Sequence, residues 1–180
     1  MTDLSSSQPA TRSVDEHRAE APQQVACMVI TVSDTRTEET DTGGQLMMQL
    51  LREHGYAISK YTIVKDEPEI IRQLLVDAAS DPSIEVVLLT GGTGIAPRDG
   101  TYEAVASQLD KTLPGFGEIF RMISYQEDIG PAAMLSRAIA GSIGTTAVFS
   151  MPGSRGAVKL AMERLILPEL RHVMRELYKK

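Results

Sequence analysis

Tryptophan is absent from the 180 residues, and the chain carries one cysteine, Cys27, and three histidines, His17, His54 and His172. A single thiol cannot close an intramolecular disulfide, and imidazoles so widely spaced along the chain do not suggest a Cys/His zinc site. Such thiol poverty fits a reducing cytoplasm. No run of about 18 apolar residues occurs, and the opening MTDLSSSQPATRSVDEHRAEAPQQ has no basic segment leading into an apolar one. The expectation is a protein neither secreted nor membrane-spanning. Positive charge is also scarce: 18 Lys and Arg against 24 Asp and Glu leave a formal net charge of −6. That balance disfavours a nucleic-acid binder, which needs a basic face to displace counterions.

What is present suffices for one globular domain. The length matches one domain plus a tail, and 42% hydrophobic with 23% charged residues can build a core. Residues 1–24 hold no Ile, Phe, Tyr or Trp, too little apolar surface to offset the entropy of ordering, so they read as a disordered tail before a domain spanning 25–180. From Val25 the composition changes. The β-branched run at 25–33 predicts a strand buried on both faces. Leu46, Met47, Leu50 and Leu51 share one face of a helix over 41–55, capped by Asp41 or Thr42 and stopped by Gly55. A strand at 57–65, a helix opening at 66–69 and a buried strand at 84–90 complete a βαβαβ unit. A parallel sheet with right-handed crossovers follows. Helical stretches are expected at 101–109, 114–125 and 131–137, strands at 138–141 and 145–151, and a helix over 156–177 broken near Pro168. The methionines at 47, 48, 122, 134, 162 and 174 fall at helical spacings and suit core or subunit contacts.

Ligands of open α/β sheets gather where strands end in loops that lead into helices. Three glycine-rich loops are expected there. Thr90-Gly91-Gly92-Thr93-Gly94 continues into Arg98-Asp99; its glycines allow positive φ and close approach of amides to an anion, and Arg98 offers a phosphate fork. A tight turn alone is the bland alternative. Neither familiar nucleotide loop matches. No lysine stands between Lys65 and Lys111, as a Walker motif requires, and Pro97 occupies the third-glycine position of the dinucleotide pattern. The second loop is 113–118 and the third 151–156, in which Ser154 is a plausible helix cap. Together the three suggest an extended polyanionic ligand.

Two acids accompany the loops. Asp66 stands three residues before Glu69, the spacing of a capping box, so a structural role competes with a functional one. Asp99 lies between the first glycine loop and a helix expected to be capped by Thr101. An acid placed there would repel a phosphate unless Mg2+ bridges the two, as nucleotidyl transfer requires.

These residues, in this order, resemble the molybdopterin-binding MoaB/MogA family. The matching segments are Thr90 to Gly94, then Arg98-Asp99-x-Thr101, Pro114-Gly115-Phe116-Gly117-Glu118, Leu135-Ser136-Arg137-Ala138 and Pro152-Gly153-Ser154. Asp34 and Asp41-x-Gly43 match as well. The likeness covers about residues 25–178, and 135–140 with 157–172 is nearest the MoaB branch. Tyr102 departs from the proline frequent in the family. The resemblance implies a three-layer α/β/α domain with a mostly parallel, Rossmann-like sheet. It also implies cytoplasmic homotrimers or homohexamers in molybdenum cofactor biosynthesis, working with other proteins of that pathway. For the MogA-like enzymes it implies adenylylation of molybdopterin by Mg2+ and ATP. Carried over by position, the essential acids and Mg2+ ligands are Asp66 and Asp99. Substrate binding falls on Thr90, Gly91, Gly92, Thr93, Gly94, Arg98, Ser136, Arg137, Pro152, Gly153 and Ser154. The alternatives are a non-catalytic molybdopterin carrier and a nucleotide phosphohydrolase on the same fold.

Overall fold

The computed structural model describes residues 24–179; the expected tail, but for residue 24, lies outside them. Six strands form one sheet in the order β2-β1-β3-β6-β5-β4. Strands β1 (Ala26–Val32), β2 (Ala57–Val64), β3 (Val86–Thr90) and β6 (Thr146–Met151) pair in parallel, whereas β5 (Ile139–Ile143) and β4 (Lys111–Thr112) continue the sheet antiparallel. The sheet is mostly parallel, as expected. Strand β4 was not anticipated, because two exposed residues leave no periodicity to read.

Both faces of the central strands are covered, which explains their continuous apolar runs. One face, carrying Cys27, Val29, Val86, Leu88, Phe149 and Met151, packs against helix α1 (Thr42–Glu53), the front of α4 (Pro114–Glu127) and the C-terminal helical segment. The other, carrying Met28, Ile30, Val87, Leu89 and Val148, packs against α2 (Pro68–Ser80) and α3 (Thr101–Ala106). Alternate residues of each strand thus serve two different cores. The result is the expected three-layer arrangement.

Several boundaries differ from the sequence reading for definable reasons. The segment expected to be helical at 131–137 is a 3-10 helix at Gly130–Leu135 with Pro131 in its first turn. The C-terminal segment is not broken at Pro168. Helix α5 (Arg155–Ala161) passes through a π turn at Met162–Ile166 into α6 (Leu167–Tyr178), with the Leu167 amide donating to the Met162 carbonyl five residues back. Pro168 cannot donate to the carbonyl four residues before it, and the widened turn takes up the crowding that its ring would cause. Of the methionines, Met47, Met162 and Met174 are core, whereas Met122 and Met134 are exposed.

Helix α1 carries two glycines, Gly43 and Gly44, in its first turn, poor helix formers whose smallness has a use here. Asp41 caps the helix by accepting the Gly44 amide at 3.0 Å, and the same carboxylate accepts the Thr31 hydroxyl at 2.5 Å and the Tyr61 hydroxyl at 2.6 Å. A β-carbon on Gly44 would strike Asp41 and Thr31. Asp41 therefore ties α1 to both β1 and β2. Asp41→Ala removes a cap and strands two hydroxyls, and it should cost about 2–4 kcal/mol. Urea unfolding would register this as a lower midpoint at constant slope; a loss within about 0.5 kcal/mol would contradict the assignment.

Candidate functional site

The parallel strands β1, β3 and β6 end together, and the loops leaving them form a connected surface. Gly91 and Gly92 leave β3 with φ of 104° and 62°, a left-handed region disfavoured for other residues. A β-carbon on Gly91 would collide with the Val32 carbonyl oxygen, one on Gly92 with Asp66 and Thr101, and one on Gly94 with Asp99. The glycines thus admit the end of β1 and the two acids to the loop backbone. Among the described residues, the amides of Gly92, Thr93, Gly94 and Ile95 donate to no acceptor. Consecutive free amides on such a turn can accommodate an anion.

Asp66, 5% exposed, is not a helix cap; the cap position of α2 belongs to Glu67, with Pro68 in the first turn. Its Oδ1 accepts the Gly100 amide at 3.2 Å and the Thr101 hydroxyl at 3.3 Å. Nor is Thr101 the cap of α3: it is the first helical residue, fully buried, with Gly100 before it. Burial pushes the Asp66 carboxyl above its ordinary value, against the pull of those hydrogen bonds and with added repulsion from Asp99. Asp99 accepts the Ala96 amide at 2.9 Å through Oδ2. Among the described residues, Asp66 Oδ2 and Asp99 Oδ1 accept no hydrogen bond.

Both arginines carried over as substrate contacts are engaged within the chain. Arg98 forks onto Asp34 at 2.9 and 3.0 Å and reaches Glu67 at 2.9 Å, which holds the Asp34 carboxyl below its ordinary range. One edge of the Arg98 guanidinium is thus occupied by Asp34, and Nη1 donates to no acceptor among the described residues. Arg137 donates to the Thr93 carbonyl at 3.2 Å, to the Gly94 carbonyl and to Glu103, and stacks 5.0 Å from the centre of the Tyr102 ring.

The third loop lies beside the first. Thr90 donates its hydroxyl to the Pro152 carbonyl at 3.2 Å, Gly153 packs against Gly91, and Ser154 caps α5 by accepting the Ala157 amide at 3.1 Å. The second is not a loop at all: Pro114 to Glu118 form the first turn of α4, and Gly117 lets that turn approach the Ala138 carbonyl. Between this turn and Ser136-Arg137 opens a cleft of about 400 Å3, lined also by Tyr102 and Arg121. Arg121 carried no sequence signal, since its place against Ser136 depends on how α4 docks on β5. Arg137 also borders a second cleft, of about 430 Å3, with Asp99 and Glu103.

Residues 28–172 match the family described as "Probable molybdopterin binding domain". The sequence is 60% identical over 167 residues to molybdenum cofactor biosynthesis protein B of Halalkalibacterium halodurans, covering 93% of this chain and 98% of that one. The chain belongs to the molybdopterin-binding family of molybdenum cofactor biosynthesis. The Bacillus subtilis protein B is 59% identical over the same shares. A crystal structure of a molybdenum cofactor biosynthesis protein B superposes with a TM-score of 0.86 at 57% identity, over 89% of this chain and all of that one. The tungsten cofactor synthesizing protein MoaB of Pyrococcus furiosus superposes at 0.78 with 37% identity, over 88% of this chain and 100% of that one.

For a molybdopterin-binding domain the acid pair has a suitable donor set. No three His, Cys, Asp or Glu cluster as a self-sufficient cation cage among the described residues. Two carboxylates with one free oxygen each instead fit Mg2+, which takes its remaining ligands from phosphate and water. The raised Asp66 value carries a stability consequence. An acid whose folded value exceeds its unfolded one loses stability as pH climbs from the ordinary 3.8 through the folded value, and the loss is constant above that. Asp66→Asn keeps an acceptor without the charge, so it should be at least as stable as wild type near neutrality, the advantage vanishing as pH falls towards 3.8. Paired thermal melts across that range check this; an Asn variant clearly less stable at neutral pH would contradict it.

Proposed function

We propose that the chain adenylylates molybdopterin with Mg-ATP. The observation that carries this reading is the run of free amides at residues 92–95, set between Asp66 and Asp99. The amides bind the terminal phosphate of molybdopterin and orient one of its oxygens in line with the α-phosphorus of ATP. A bond forms between that oxygen and the α-phosphorus as the α–β bridging bond breaks, and pyrophosphate leaves with the bridging electron pair. Asp66 and Asp99 would hold Mg2+, which would supply charge neutralisation for the triphosphate. Phosphoryl chemistry of this kind needs position and charge more than a side-chain nucleophile, and no nucleophile is assigned. Arg155, exposed in the first turn of α5 after the third loop, is a cation that can meet the phosphates. The cleft beside Ser136 is of a size to take a small heterocycle.

The carrier reading draws on one specific observation: Arg98 and Arg137 both serve internal acceptors, leaving few cations for a leaving pyrophosphate. One assay separates the two. Purified protein with molybdopterin and Mg-ATP should release pyrophosphate and form adenylylated molybdopterin. Asp99→Asn should lower that turnover by about 100-fold or more while molybdopterin affinity changes by no more than about threefold. Wild-type turnover in Asp99→Asn would overturn the mechanism, and a wild type that binds without turnover would establish the carrier.

We further propose a cytoplasmic homotrimer or homohexamer. Ile119 and Met122 on α4 are exposed together with Ile129, Met134 and Leu135 on the adjoining segment, an apolar surface of the type that subunits cover. Among the described residues no helix is long and apolar enough to cross a membrane. Light scattering should give three or six times the chain mass of 19.6 kDa; a mass of one chain would refute it.

A further inference from the structure

We infer that Arg137 is a positioning residue that holds the carbonyl side of the glycine loop, so that the loop's amides face the ligand. Its guanidinium reaches four separate points. Nε donates to the Thr93 carbonyl at 3.2 Å, Nη2 to the Gly94 carbonyl and, at 3.4 Å, to the Asp99 carbonyl, and Nη1 to the Glu103 carboxylate. The side chain is 25% exposed and lies over the Tyr102 ring.

The geometry of the peptide unit turns these contacts into a role. In a trans peptide the carbonyl and the following amide point in opposite directions. Holding the Thr93 and Gly94 carbonyls against the guanidinium therefore turns the Gly94 and Ile95 amides away from it. Those two amides belong to the run that has no acceptor among the described residues. Such a loop, rich in glycine, has many backbone states of similar energy. Something must select one, and Arg137 does so from behind. By bonding Asp99 through its carbonyl, the same guanidinium also fixes the point from which the Asp99 carboxylate projects. Glu103 holds the guanidinium from the far side, and the ion pair keeps the Glu103 carboxyl below its ordinary range.

A substrate contact and a positioning residue respond differently to lysine. Lysine keeps the charge but has one donor centre, and it cannot span from Thr93 to Glu103. The test compares Arg137→Lys, Arg137→Gln and the milder Glu103→Gln in the full chain. Hydrogen exchange of ligand-free protein is measured for the loop's bonded amides at Ala96, Asp99, Gly100 and Thr101. Exchange there should rise by about tenfold or more in both Arg137 variants and less in Glu103→Gln, with the sheet unchanged. Turnover rests on the adenylyl-transfer reading. There, both Arg137 variants should lose kcat by about tenfold or more, with a smaller change in KM for molybdopterin. Unchanged loop exchange in all three variants overturns the inference. So does a lysine variant with wild-type kcat beside a glutamine variant raised only in KM, which would make Arg137 a direct ligand contact. If wild type shows no turnover, the proposed reaction fails, and the exchange measurement still decides the role of Arg137.

Discussion

Asp66 is a carboxylate withdrawn from water where three chain segments meet, and they meet there because Gly92 has no side chain. A β-carbon at residue 92 would occupy the space of the Asp66 carboxylate and the Thr101 hydroxyl. The acid follows β2, the glycine follows β3, and the threonine opens α3. With the three in contact, the Gly100 amide and the Thr101 hydroxyl supply hydrogen bonds that burial would otherwise deny. The loop between Gly92 and Gly100 is thereby closed at both ends on one carboxylate. Among the described residues, the amides of residues 92–95 within it donate to no acceptor.

Positive charge around this loop is directed inward. Arg98 binds Asp34 and Glu67 on one side, and Arg137 binds loop carbonyls and Glu103 on the other. Both cations therefore brace the loop from its flanks, and the amides of residues 92–95 are left without an acceptor among the described residues. Backbone amides have an advantage here: they are placed by the fold and lose no side-chain entropy when a ligand arrives. A net charge of −6 is compatible with binding a polyanion under such an arrangement.

The sheet explains why these pieces lie together. Parallel strands return the chain to the same edge after each crossover, so the loops after β1, β3 and β6 are neighbours although more than fifty residues separate them. The Thr90 hydroxyl on the Pro152 carbonyl and the packing of Gly153 against Gly91 are direct results. The antiparallel pair β5 and β4 extends the sheet sideways and brings Ser136 and Arg137 to the flank of the same loop.

Much of this was legible in the sequence, because it depends on local chemistry. Continuous β-branched runs specified buried parallel strands. Asp41 and Ser154 announced helix starts that exist, and three glycines in four residues marked a loop that had to admit something close. The ordered motifs also named the family. What the sequence could not decide was partnership. Asp66 had the spacing of a helix cap and Arg98 and Arg137 the chemistry of phosphate ligands, yet all three make their side-chain hydrogen bonds to residues at least thirty positions away. A side chain's nearest acceptor across space is set by how layers pack, and packing is a sum of contacts that no short window of sequence contains. The tertiary structure alone therefore decided that Asp66 closes the loop rather than capping a helix. It also decided that both arginines bond to distant residues of the chain itself.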